Sequence, residues 1–397
     1  MARTSATKAS STREAWTFVL VVFALSRLLS LGVGALAASY LPQAVPAGDP
    51  LEPPGFLNYW AHWDGAWYSQ IATEGYGERA PTSTAFFPLY PMLVRLGSAL
   101  GGGPALWGVM ISLVATLVAS FFLYRIAEKL YDSRAARAAT LALAFFPTAF
   151  FLNAIYTEAL FLALSAGAVW AVLVRRNLLL AGVLGALAAA TRNLGVILLL
   201  PLLFEWLGHR REFGLQGLAG LALVPAGLLG YVTFLWARFG DPFLFAHQQD
   251  AYWGRELTNP STTVGNAWQA AREGARYLLD PEALFLSTSA SPALEASNTI
   301  NFAFLVLFLA LLVVGFAVLP PGLSLYAFGI LLLPVLTPTP SFPLMSVPRL
   351  LLGAFPILVV LGYLLSRSKP VLVLWLLLST GVGVALTTLF TTWRWVA

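Results

Sequence analysis

The sequence predicts an all-α polytopic membrane protein of about eleven transmembrane helices, with interfacial helices in its first long loop. Three observations carry that reading. Of 397 residues, 58% are hydrophobic and only 10% are charged, whereas a water-soluble surface takes about 25% charged residues. Apolar runs of spanning length, about 20 residues, fall at roughly 16–41, 104–124, 157–174, 214–237, 299–319, 348–366 and 371–391, with shorter runs near 138–152, 178–190, 194–207 and 323–336. Finally, the basic residues sit in short connections rather than on one face.

The elements follow in order. Residues 1–15 form a tail carrying Arg3, Lys8 and Arg13. The first apolar segment is too long for a signal peptide, carries Arg27 and is followed by further spans, so it is expected to stay as an anchor. Arg125, Lys129, Arg134 and Arg137, then Arg175 and Arg176, Arg210 and Arg211, and Arg367 and Lys369 share one side when eleven crossings are threaded. The positive-inside rule makes that side cytoplasmic. Both long loops, 42–103 and 238–298, then face outward. The expected location is the plasma membrane, multi-pass, with a cytoplasmic N-terminus and an extracytoplasmic site. The whole chain, 1–397, is read as one membrane-embedded domain. The shorter runs are too brief for straight lipid-exposed spans and suit tilted or broken helices.

Composition also excludes functions. There is no cysteine, and the three histidines (His62, His209, His247) are far apart, so neither disulfides nor a protein-built metal site is expected. A net charge of +5 is scattered through loops, which argues against nucleic acid. No Gly-x-x-x-x-Gly-Lys loop is present, which argues against an ATP-driven pump. Asp280-Pro281-Glu282 superficially resembles a metal-binding Asp-x-Asp pair, but reads better as helix cap, first-turn proline and first-turn acid.

The first long loop contains Trp60-Ala61-His62-Trp63-Asp64-Gly65-Ala66-Trp67-Tyr68. Aromatic rings favour the headgroup layer. At helical spacing Trp60, Trp63, Asp64, Trp67 and Ile71 share a face, placing Asp64 among rings on an interfacial helix. Asp64 is read as a general base rather than a solvated loop acid. His62 either binds a hydroxyl, shares the base role or is an inert interfacial histidine, and Trp63 is expected to contact substrate. Glu74 is a candidate acceptor contact and Arg79 a candidate phosphate contact. Phe86-Phe87-Pro88-Leu89-Tyr90-Pro91 is expected to wall a lipid groove, with its prolines fixing the chain's path.

Ionisable residues at membrane depth need a partner or a task, since each costs at least about 2.5 kcal/mol near a helix centre. Arg27, Glu158, Arg192 and Arg349 are such residues. Glu158 and Arg192 suit either an ion pair tying two helices together or a substrate site, with Asn193 beside them. For Arg349 no acidic neighbour is visible, so it is expected to hold a lipid phosphate by paired hydrogen bonds. One geometric condition follows: Asp64 should face a cavity shared with at least one arginine.

In succession, Trp63-Asp64-Gly65, Gly75-Tyr76, Phe86-Phe87-Pro88-Leu89-Tyr90-Pro91, Phe146-Pro147, Tyr156-x-Glu158-x-x-Phe161 and Arg192-Asn193-x-Gly195 resemble the PIG-V family, the second mannosyltransferase of glycosylphosphatidylinositol synthesis, and its bacterial relatives. The resemblance covers about residues 55 to 200. It implies the GT-C architecture of polytopic glycosyltransferases, with Asp64 as catalytic base. It further implies inverting, metal-independent transfer of mannose from polyprenyl phosphate mannose to a lipid or glycan acceptor on the outer face. Apart from this lipid-linked donor, no cofactor is expected. The C-terminal half matches less clearly, with Arg349-Leu350 where relatives carry an Arg-Tyr pair. A flippase or other transporter of a lipid-linked sugar, or a non-catalytic membrane scaffold, are the rival readings.

Overall fold

The computed structural model describes residues 10–44, 57–77 and 81–396. Arg3, Lys8 and the proposed phosphate contact Arg79 lie outside them. The described residues are helical, with no strand among them. In chain order the helices are α1 (Thr12–Tyr40), α2 (Asp64–Glu74), α3 (Leu89–Ser98), α4 (Gly103–Leu130), α5 (Ser133–Ala144), α6 (Glu158–Leu173) and α7 (Leu178–Thr191). There follow α8 (Leu199–Gly208), α9 (Arg210–Phe213), α10 (Gln216–Leu223), α11 (Ala226–Phe239), α12 (Leu244–Trp253), α13 (Pro260–Leu278) and α14 (Pro281–Phe285). The last five are α15 (Ser291–Val318), α16 (Pro321–Leu336), α17 (Val347–Leu350), α18 (Phe355–Leu365) and α19 (Lys369–Thr391).

Every apolar run anticipated in the sequence is helical, and local chemistry sets the boundaries. Ser11 and Glu14 form a reciprocal cap at the start of α1. Asp132 and Asn177 cap α5 and α7 through the amides of Ala135 and Leu180. Asp280 caps α14 through the Ala283 amide, with Pro281 in the first turn, as its sequence suggested. Among the described residues, α1, α4, α15 and α19 are long and apolar enough to cross a membrane, and two bent pairs raise the number to six. One pair is α10 with α11, bent by 44°; the other is residues 347–353 with α18, bent by 84°. Length and composition therefore give four to six spans against the expected eleven, because α6, α7, α16 and residues 193–208 are shorter apolar helices.

Small residues allow the helices to approach closely, the usual device where lipid removes the hydrophobic drive between helices. Ala136, Ala139 and Ala142 of α5 are fully buried. Arg27 of α1 has a structural task. Its guanidinium donates to the carbonyls of Ala144 (2.9 Å) and Ala149 (2.8 Å) and to Asn153 Oδ1 (2.8 Å). These oxygens flank the break after α5, at Pro147, where the helix can no longer satisfy its own carbonyls. A buried arginine thus ties the first helix to a break in the third apolar run.

The two long loops pack on each other. Trp67 and Phe86 of the first meet Tyr252 and Trp253 of the second edge-to-face, at 6.1 and 5.8 Å between ring centres. The C-terminal turn joins them through Arg394, fully buried, which donates to Pro42 O (2.9 Å) and Ser287 O (2.6 Å).

Candidate active site

Asp64 is not on a continuous helix with Trp60, as the sequence spacing suggested. Trp60 ends a short 3₁₀ turn, and Trp63 takes φ 59° and ψ −120°, so α2 begins afresh at Asp64. A positive φ at a tryptophan is costly and is kept only where surrounding contacts impose it. Those contacts are visible. The Ile155 amide donates to Trp60 O (2.9 Å) and the Tyr156 hydroxyl to His62 O (2.9 Å). A Cβ on Gly65 would lie 3.3 Å from Ile155 O, so a glycine after the acid eases the close approach of the two backbone segments. The kink turns Asp64 into the first turn of α2, where the helix dipole favours a carboxylate.

This clamp sets Asp64 beside the start of α6. Glu158, 3% exposed, opens that helix. Its Oε1 accepts from Arg192 Nη1 at 2.7 Å, and Arg192 also donates to Thr157 Oγ1 at 3.2 Å. Arg192 is available because α7 stops there in extended backbone. The chain then doubles back so tightly that a Cβ on Gly195 would come within 2.3 Å of the Ala189 backbone. The ion pair read from Glu158 and Arg192 is therefore present.

Arg349 differs from expectation. It has an acidic partner: its Nη2 meets Asp64 Oδ2 at 2.5 Å, and its Nε lies 3.9 Å from Glu158 Oε1. Its guanidinium also lies over the Tyr156 ring, 5.2 Å from the centroid. A contact across 285 positions, from two elements with no shared local pattern, leaves no trace in a single sequence. Residues 346–349 form a turn with Ser346 at φ 72° and Pro348 in the helix start, which aims the arginine inward.

Asp64, Arg192 and Arg349 border one cavity of about 250 Å³, and Glu158 lies behind the two arginines, outside its lining. Asp64, Tyr68, Arg192, Asn193 and Arg349 line it, with Phe86, Phe87, Leu194, Leu333 and Pro334 as its apolar wall. The geometric condition on Asp64 is met. His62 is elsewhere: 2% exposed, its Nδ1 is 3.0 Å from Phe390 O and its ring stacks on Trp393 at 3.9 Å. Trp63 packs edge-on against Trp393 and Trp395, and Glu74 accepts from Gln70 Nε2 (3.1 Å) at the far end of α2. The structure brings none of these three to the cavity wall.

One lining residue escapes the sequence reading. Arg255 follows α12 in the second loop and donates to Thr337 O (3.1 Å) and Met345 O (3.5 Å). No carboxylate among the described residues pairs with it. Burial, and then the positive charge of Arg349, push its guanidinium down to about 10, so it is still charged at neutral pH. Its only sequence signal is the aromatic Tyr252-Trp253 just before it. Among the described residues, no cluster of three metal-ligating side chains occurs.

The sequence profile of the family described as dolichyl-phosphate-mannose-protein mannosyltransferase matches residues 82–235, under half of the chain. No curated protein matches. Among solved structures the chain is similar to ArnT from Cupriavidus metallidurans, in its apo state and bound to undecaprenyl phosphate, at 14% identity and a TM-score of 0.51. That likeness covers 87% of this chain and 60% of ArnT, so the chain spans about three fifths of its length. A match to the Archaeoglobus fulgidus oligosaccharyltransferase has 13% identity and a TM-score of 0.48, covering 94% of this chain and 53% of that one. The ArnT likeness concerns the fold alone: an all-helical architecture shared over 87% of this chain.

Proposed function

We propose that this protein is a membrane-embedded, inverting glycosyltransferase that moves a mannosyl residue from polyprenyl phosphate mannose to a lipid-linked or glycan acceptor on the outer face of the plasma membrane. The observation that carries the reading is the cavity itself, where Asp64 stands among three arginines against an apolar wall. Asp64 takes the proton of the acceptor hydroxyl as its oxygen attacks the anomeric carbon. The bond from that carbon to the phosphate oxygen breaks, and polyprenyl phosphate leaves with the electron pair.

Charge supports a monophosphate donor. Arg192 is matched by Glu158 and Arg349 by Asp64, which leaves Arg255 as the uncompensated cation among the described residues that line the cavity. A phosphodiester carries one negative charge, so the filled site is neutral, as a buried site prefers. Arginine suits the phosphate because its planar fork gives two parallel hydrogen bonds. Phe86, Phe87, Leu194 and Leu333 are apolar surfaces for the first isoprene units. Mannose is favoured over other sugars by the PIG-V-like motifs and by the description of the family matched at residues 82–235.

The test is transfer by purified protein from radiolabelled polyprenyl phosphate mannose into an extract of host membrane lipids and glycans. The expected result is a labelled acceptor and released polyprenyl phosphate. Transfer from other polyprenyl phosphate sugars but not from the mannosyl form would overturn the sugar assignment. Movement of the intact donor between leaflets without cleavage would favour a flippase.

A further inference from the structure

We propose that Arg349 is shared between the base and the donor, with Glu158 as the positioning residue that receives it. Arg349 covers Asp64; an arriving lipid phosphate draws it away and uncovers the carboxylate. The inference rests on the donor assigned above and concerns the order of events at that same site.

Arg349 lies between two acids, paired with Asp64 and close to Glu158 without a hydrogen bond to it. Its Nη2 holds Asp64 at 2.5 Å, while its Nε has no hydrogen-bond partner and stands 3.9 Å from Glu158 Oε1. Glu158 Oε2 is also buried without a partner. Unsatisfied buried polar atoms are rare, and a donor and an acceptor left open on facing residues mark a contact the site makes in another state. The Tyr156 face beneath the guanidinium, 5.2 Å away, gives it a flat surface to turn on without losing its cation–π contact. Arg255 and Arg349 border the same cavity, so a phosphate seated on Arg255 competes with Asp64 for Arg349. The consequence is ordered binding: the acceptor hydroxyl finds its base only when the donor is in place.

Competition of this kind is read by a double-mutant cycle. The affinity of the purified protein for undecaprenyl phosphate is measured for wild type, Asp64→Asn, Arg349→Gln and the double variant. If about nine molecules in ten are covered, Asp64→Asn tightens binding about tenfold, because affinity scales with the competent fraction. In the Arg349→Gln background the same change leaves binding unaltered. Equal tightening in both backgrounds would mean that Asp64 repels the phosphate by charge alone, and would overturn the shuttle; so would no tightening in either. Asp64→Ala gives the same cycle where the asparagine variant does not fold. Compared with Arg192→Gln alone, Glu158→Gln in the Arg192→Gln background, where no partner cation is left unmatched, removes the second resting place and is expected to weaken binding about tenfold; unchanged binding would remove that role from Glu158. A wild-type protein that does not bind the lipid overturns the donor assignment and the shuttle together, whereas intact binding with additive variants overturns the shuttle alone.

Discussion

Asp64→Asn is expected to lower kcat for sugar transfer by about a thousandfold while the protein still folds and binds the lipid donor. The asparagine fills the same space at the start of α2, but it has no charge to hold Arg349 and cannot take a proton from the acceptor. General bases contribute about 100- to 10,000-fold, and no other carboxylate takes over. Glu158, the only other acid among the described residues in contact with these arginines, is 3% exposed and bound to Arg192. The measurement is single-turnover transfer with saturating donor, beside a binding curve for undecaprenyl phosphate. A variant that retains more than a tenth of wild-type turnover would show that the proton goes elsewhere.

The second large effect is expected from Arg255→Gln, and it separates binding from chemistry. A charge-assisted hydrogen bond is worth about 1.5 to 3 kcal/mol, so KM for the lipid donor should rise about 10- to 100-fold, with a smaller fall in kcat. Arg255 is a better probe than Arg192 because its protein contacts are two carbonyls, at 3.1 and 3.5 Å, not a carboxylate. Removing Arg192 would strand the buried Glu158 and confuse folding with function. The check is a donor titration at fixed acceptor; a fall in kcat with KM unchanged would place Arg255 outside the donor's ground-state contacts.

The helices were legible from the sequence because each signal is local. Long apolar runs, prolines and side-chain caps act within a few residues, and each apolar run became helix. Asp64 was legible for a related reason: a carboxylate followed by glycine among tryptophans is odd locally, and Gly65 sits where the backbone passes close to Ile155. The Glu158–Arg192 pair followed from the cost of burying each charge alone. Arg349 shows where such reasoning stops. It too needed a partner, but the partner lies 285 positions away on a helix whose start is set by a strained tryptophan. No rule of spacing foresees that kink, and it is the kink that replaces a shared face from Trp60 to Ile71 with a carboxylate aimed at the cavity. His62 looked functional for its proximity to Asp64, yet the same kink sends it the other way, against Phe390 and Trp393. Arg255 was invisible because its distinguishing feature, two backbone carbonyls as partners and no bonded carboxylate among the described residues, appears only in the folded chain.

A polyprenyl phosphate sugar is expected to seat its phosphate and first isoprenes in the cavity bordered by Asp64. Photo-crosslinking with a donor analogue carrying a diazirine on its first isoprene unit tests this most directly. The account predicts adducts on Phe86, Phe87, Leu194 or Leu333, all lost when excess undecaprenyl phosphate is added. Adducts confined to other surfaces, or adducts that the free lipid phosphate does not displace, would contradict it.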